Sequence, residues 1–179
     1  MSLAILLSRS LSGLDAPLVR VETHLGAGLP AFHVVGLADA EVRESRERVR
    51  AAILSSGLKF PSGRLTVNLS PADLPKESGR FDLPIALGVL LVSGQVQVVD
   101  PEALPTLVLA GELSLTGALV PTRGAVALGL AVARTQPNAV LILPLCNAKE
   151  VACIPDLSVL GASSLNDVVG HLNGYPVLT

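Results

Sequence analysis

The chain has 179 residues, half of them hydrophobic, only 16% charged and 2% aromatic, with a net charge of −2 at neutral pH. This fits one domain over residues 1–179 with an aliphatic core, and it argues against a strongly basic nucleic-acid module, which ordinarily carries a cationic excess. The mean hydropathy of +0.59 raises the question of a membrane. Yet no run of roughly 18 apolar residues escapes a charge or turn signal, and no basic residue precedes the apolar Met1 to Leu7, so the reading is a cytoplasmic protein with no membrane partner.

In chain order, Leu3 to Leu7 reads as a strand. Pro17 to Leu25 alternates in part, with Arg20, Glu22 and His24 between apolar positions, as a half-buried strand does. Gly26, Gly28 and Pro30 make a turn, and Ala31 to Leu37 is a third strand. The three together suggest an antiparallel meander. Asp39 then opens a helix as its expected N-cap, with acids in the first turn and Gly57 beyond the end. Its apolar stripe is Val42, Val49, Ala52, Ile53 and Leu54. The outer face mixes Arg43, Arg46, Arg48 and Arg50 with Glu41, Glu44 and Glu47, and Glu44–Arg48 is an i,i+4 pair.

Leu65 to Leu69 is a strand. A polar loop from Ser70 leads to Asp82, and Asp82 or its neighbour is expected to cap an apolar helix over Leu83 to Val92, with Pro84 tolerated in its first turn. The segment Pro101 to Pro105 is the best candidate for an internal break. Strands follow at Leu107 to Ala110 and Ala118 to Pro121, a helix from Gly124 to Arg134 and a strand at Ala139 to Leu143. A short helix at Asn147 to Val151 and a strand at Leu157 to Leu160 come next. Ser164 with Asp167 resembles a capping box for a last helix to Leu172. Strands first and mixed alternation later predict a two-layer α/β (α+β) domain with a mixed sheet.

The chain holds three lysines, Lys59, Lys76 and Lys149, and none follows a glycine. A Walker A loop needs Gly-Lys-Ser or Gly-Lys-Thr, so no P-loop is present. Cys146 and Cys153 read as small buried apolar residues, and His24, His33 and His171 are too scattered for a zinc cluster. No cofactor or metal is expected in this chain. The run from Pro71 to Leu87 is the most charge-dense loop, with Lys76, Glu77, Arg80 and Asp82 alternating in sign before an apolar helix.

That run, Pro-Ala-Asp-Leu-Pro-Lys-Glu-Ser-Gly-Arg-Phe-Asp-Leu-Pro-Ile-Ala-Leu, resembles the signature of the ComM/YifB family of magnesium-chelatase-like AAA+ ATPases. It departs mildly, with Ser78 for glycine and Phe81 for tyrosine. Gly28-Leu29-Pro30, Val35-Gly36-Leu37, the helix residues Val42, Arg46, Arg48, Val49, Arg50, Ala52 and Ile53, and Gly111 to Leu119 match as well, covering nearly the whole chain in order. The resemblance implies the second-domain fold of ribosomal protein S5, shared with the Lon peptidase domain. It also implies a longer parent whose AAA+ motor, binding ATP and Mg2+, follows after about Thr179. In that family the parent is a hexameric helicase extending recombination branches in natural transformation.

The Lon-like pattern brings a Ser-Lys peptidase into view, which needs a serine beside a lysine of lowered pKa. By that pattern the nucleophile position falls on Arg80 and the base position near Val126, and Ser78 lies two residues off, so the expectation is a non-catalytic chain. Two roles stay open for it: a DNA-guiding module, or an interaction module meeting its own AAA+ domain and ring neighbours, the second favoured for the isolated domain by the low net charge and few aromatics. The candidate contact residues are Arg43, Arg46, Arg50, Lys76, Glu77, Arg80 and Asp82.

Overall fold

The computed structural model describes residues 3–72, 74, 76, 79–174 and 178. Two long strands, β1 (Leu3–Arg9) and β2 (Leu18–Gly26), pair antiparallel. In β2 the residues Val19, Val21 and Thr23 are buried while Arg20 and His24 are exposed, the period-2 pattern of a strand with one covered face. β3 (Ala31–Val35) does not join a meander. It pairs parallel with β4 (Arg64–Ser70), and β4 pairs antiparallel with β2, so β3 lies at the sheet edge. The reason is α1 (Asp39–Ser55), which lies between β3 and β4 and supplies the crossover that parallel neighbours require.

The second half adds β5 (Leu107–Leu109) parallel to β1, β8 (Val140–Pro144) parallel to β5, and β9 (Ser158–Ala162) parallel to β8. The result is one mixed seven-stranded sheet in the order β3-β4-β2-β1-β5-β8-β9. A small hairpin, β6 (Glu112–Leu113) with β7 (Leu119–Val120), stands apart from it. Residues 101–106 turn through a short 3-10 helix straight into β5.

The helices divide between the faces. α1, α2 (Asp82–Val92) and α5 (Leu165–Asn173) share one aliphatic core with β1, β2 and β4. α3 (Ala125–Thr135) and α4 (Leu145–Val151) build a second core against Val108, Leu141 and Leu143 on the opposite face. The mixed α/β architecture thus has two layers over β3-β4-β2, and a further helical layer over β5-β8. α2 is apolar all round because it is buried all round. It can lie so close to β2 only at Gly88, where an added Cβ would sit 2.2 Å from the Thr23 hydroxyl. No helix of the described residues is long and apolar enough to cross a membrane.

Several local expectations change. The N-cap of α1 is Ala38, not Asp39, and that of α2 is Phe81, the neighbour of Asp82; neither cap makes a side-chain hydrogen bond. Leu54 is exposed rather than part of the buried stripe, and Ser45 takes an inward position instead. Cys146 and Cys153 are both exposed and free: α4 turns Asn147, Ala148 and Val151 inward and Cys146 outward, and Cys153 lies in the turn beyond the helix. Ser164 does cap α5, accepting from the Asp167 amide at 3.2 Å, while the Asp167 carboxylate accepts from the Ser163 amide at 3.0 Å.

Candidate functional site

Asp82 is fully buried at the start of α2, and four donor contacts converge on it. Oδ1 accepts from the Ser45 hydroxyl at 2.8 Å and from Arg48 Nη2 at 3.3 Å. Oδ2 accepts from Arg48 Nε at 2.6 Å and from the Leu113 amide at 3.1 Å. Helix α1 supplies two of these partner residues and β6 the third, so one carboxylate joins three elements. Burial pushes the Asp82 carboxyl above its ordinary range, against the pull of Arg48, Ser45 and the Leu113 amide. For Arg48 burial works against the charge, but Asp82, Glu112 and Glu44 together hold its guanidinium above its ordinary value. Glu44 lies 3.6 Å from it, as the i,i+4 spacing predicts, and Glu112 3.9 Å away on the other side.

The two charge-bearing motifs of the sequence meet here. Leu83 donates its amide to the Gly111 carbonyl, and Gly111 donates to the Arg80 carbonyl, at 3.0 and 2.9 Å. Gly79 passes so close that a Cβ would lie 2.6 Å from the Glu112 side chain and 3.0 Å from Arg48. A glycine at this position lets the loop lie against the ion pair. This arrangement locks two helices to a hairpin around Asp82.

Lys76 and Arg80 are buried as well. Arg80 Nη2 donates to the Arg123 carbonyl at 2.7 Å, and burial, with the nearby Arg123 charge, lowers its guanidinium below the ordinary value. The arginine at the Lon-like nucleophile position thus reaches the segment just before Val126, which is half exposed on α3. Glu77 and Ser78 lie outside the described residues.

Arg43, Arg46 and Arg50 lie elsewhere, on the outward side of α1, where their spacing of three and four residues aligns them in one stripe. Arg43 and Arg50 are exposed. Arg46 Nη1 donates to the Phe32 carbonyl at 3.1 Å, and the Arg50 guanidinium stacks 4.4 Å above the Phe60 ring. Phe60 in turn meets Phe32 at a centroid distance of 5.2 Å. The seven candidate contact residues therefore do not form one patch: three line α1, while Lys76, Arg80 and Asp82 are interior. Sequence reading missed Arg48 as an inward residue, Ser45 as its companion, and Phe60 as the seat of Arg50. Among the described residues no group of three or more His, Cys, Asp or Glu could hold a metal ion.

A family model described as subunit ChlI of Mg-chelatase matches residues 21–147. The chain is 45% identical over 178 residues to competence protein ComM of Haemophilus influenzae, covering 99% of this chain and 34% of that protein. It is 43% identical to the uncharacterized protein YifB of Salmonella typhimurium, with the same coverage. An uncharacterized protein of Mycobacterium bovis is 39% identical over 175 residues, covering 97% of this chain and 34% of its own length. The chain thus spans about a third of the length of these curated relatives.

Proposed function

The chain belongs to the magnesium-chelatase-like ComM/YifB family, and we propose that it serves as the non-catalytic N-terminal accessory domain of an AAA+ ATPase. The parent in this reading is a hexameric DNA branch-migration helicase acting in recombination or natural transformation. ATP and Mg2+ are bound by its motor, and this domain guides DNA toward that motor. The observation that carries the reading is the Asp82 junction. Asp82, the carboxylate that ends the charge-dense run, is consumed in fixing α1, α2 and the β6–β7 hairpin to one another. Outward on α1 the arginine stripe of Arg43, Arg46 and Arg50 runs among the exposed acids Asp39, Glu44 and Glu47, an arrangement suited to contact rather than to chemistry. The relatives' greater length leaves room for a motor outside the matched segment.

The test compares a full-length relative with a version lacking this domain. ATP turnover should persist without the domain, while migration of a branched DNA junction should fall sharply. Junction migration at the undiminished rate would sink the accessory role, and ATP turnover by the isolated chain would sink the non-catalytic one. A second reading, an interaction or oligomerisation module without DNA contact, draws on Val126 and Leu130, half exposed one turn apart on α3. Sedimentation of the chain, with and without Val126→Ser and Leu130→Ser, separates the two.

A further inference from the structure

We infer that the Phe60–Gly63 ridge beside α1 is a binding site for single-stranded nucleic acid, with phosphates on the arginine stripe and a base against Phe60. This rests on the accessory-domain reading and gives the DNA contact a location and a strand preference. The ridge separates two clefts. One, of about 540 Å³, has Leu25, Phe60 and Val92 as apolar lining and Lys59 at its rim. The other, of about 280 Å³, lies between the ridge and Arg50. The larger volume falls within the roughly 300–1,000 Å³ of small-molecule pockets, room enough for a flat base.

The chemistry on the two sides of the ridge is complementary. An unpaired strand offers a π-face and a phosphate at each step, and proteins meet it with aromatic platforms beside cations. Here Arg50 is held over Phe60, and Arg46 is tethered to the Phe32 carbonyl. Both guanidinium groups are thereby fixed in position before any ligand arrives, which suits planar recognition of phosphate. Arg43 extends the line along the helix. Asp39 and Glu47 lie on the same side of α1, but Lys59 and Arg64 at the ridge ends restore a local cationic excess on an otherwise acidic chain. A duplex would satisfy the arginines, but its stacked bases could not enter the cleft, so the geometry favours a single strand.

The test is fluorescence anisotropy of the chain with a labelled oligothymidylate over a range of salt concentrations, beside a duplex of equal length. Three phosphate contacts predict a log–log salt slope of about −2 on a single strand. Arg43→Gln, Arg46→Gln and Arg50→Gln should each flatten that slope by about 0.7. Phe60→Leu keeps apolar volume but removes the π-face, and it should weaken single-strand binding about tenfold at unchanged slope. Phe60→Tyr should restore it, Arg134→Gln on α3 should change nothing, and the duplex should ignore Phe60→Leu. Single-strand affinity untouched by Phe60→Leu, or equal competition by polyglutamate, overturns the proposal in favour of a surface for any polyanion or an acidic protein. Absence of binding at about 100 μM in low salt overturns it outright. In that last case the deletion experiment on the full-length relative still decides the accessory role independently.

Discussion

Helix α1 uses the same residue type in two opposite ways. Arg48 turns inward to a buried carboxylate, while Arg43, Arg46 and Arg50, on the other side of the helix, face outward along the edge strand. The difference is one of register. Two residues separate Arg46 from Arg48, and a step of two on a helix moves a side chain to the opposite side. Composition of the helix therefore says little about its role; the partner each arginine meets says nearly everything. The inner arginine holds the fold, and the outer ones are available to a ligand.

The largest effect should come from breaking the inner side. Asp82→Ala leaves the largely buried Arg48 with only the more distant Glu44 and Glu112 and strands the Ser45 hydroxyl and Leu113 amide. Removing one member of a buried pair costs about 3–5 kcal/mol, so urea unfolding should show a loss of that order. A loss below about 1 kcal/mol would mean that the junction is ornamental and the comparison empty.

Next in size is the contact that seats α2 on the sheet. Gly88→Ala forces a methyl group into the Thr23 side chain, and overpacking of this kind costs about 1–3 kcal/mol. Thr23→Ala should recover much of it, because the Thr23 hydroxyl is buried and makes no hydrogen bond among the described residues. A double-mutant cycle with no coupling between the two positions would contradict the close approach.

The outer arginines should matter less for stability than either of these. Arg50→Gln forfeits a cation–π contact at an exposed site, about 0.5–1 kcal/mol, and Arg43→Gln should lie within about 0.5 kcal/mol of the parent chain. Thermal unfolding of these variants beside Asp82→Ala sharpens the comparison directly. If Arg43→Gln unfolds as readily as Asp82→Ala, the outer stripe is part of the framework.

The sequence made much of this legible. The alternation in β2, the apolar run of α2 and the cap at Ser164 are local signals, and the structure keeps each of them. Long-range pairing is what escaped. Nothing near Arg48 announces a carboxylate 34 residues away, and its neighbours Glu44 and Glu47 suggested a self-neutralising surface. β3 looked like the next strand of a meander because periodicity reports burial, not order in a sheet. Aromatics make up only 2% of the chain, yet the fold brings Phe32 and Phe60 together beside the arginine stripe. A count of residues over the whole chain is blind to such a local concentration.

The smallest effect tests the far end of the framework, where α5 closes the core. His171 lies in the last turn of α5, and its Nδ1 accepts from the Leu178 amide at 3.1 Å. Only the neutral ring can accept there. The helix C-terminus favours a charged ring, but burial outweighs it and lowers the His171 pKa below the ordinary 6.5. A folded pKa below the unfolded one means that the unfolded chain takes up the proton first. The contribution of His171 is therefore complete above the ordinary value and is lost as pH falls through the lowered one. Urea midpoints measured on both sides of that window should decline toward acid in the parent chain and decline less in His171→Gln. Equal declines would assign the acid sensitivity to other groups. Because Asp82 titrates from above its ordinary value and His171 from below its own, the Asp82 and His171 variants should change the pH profile in opposite senses, and that opposition separates the two ends of the framework.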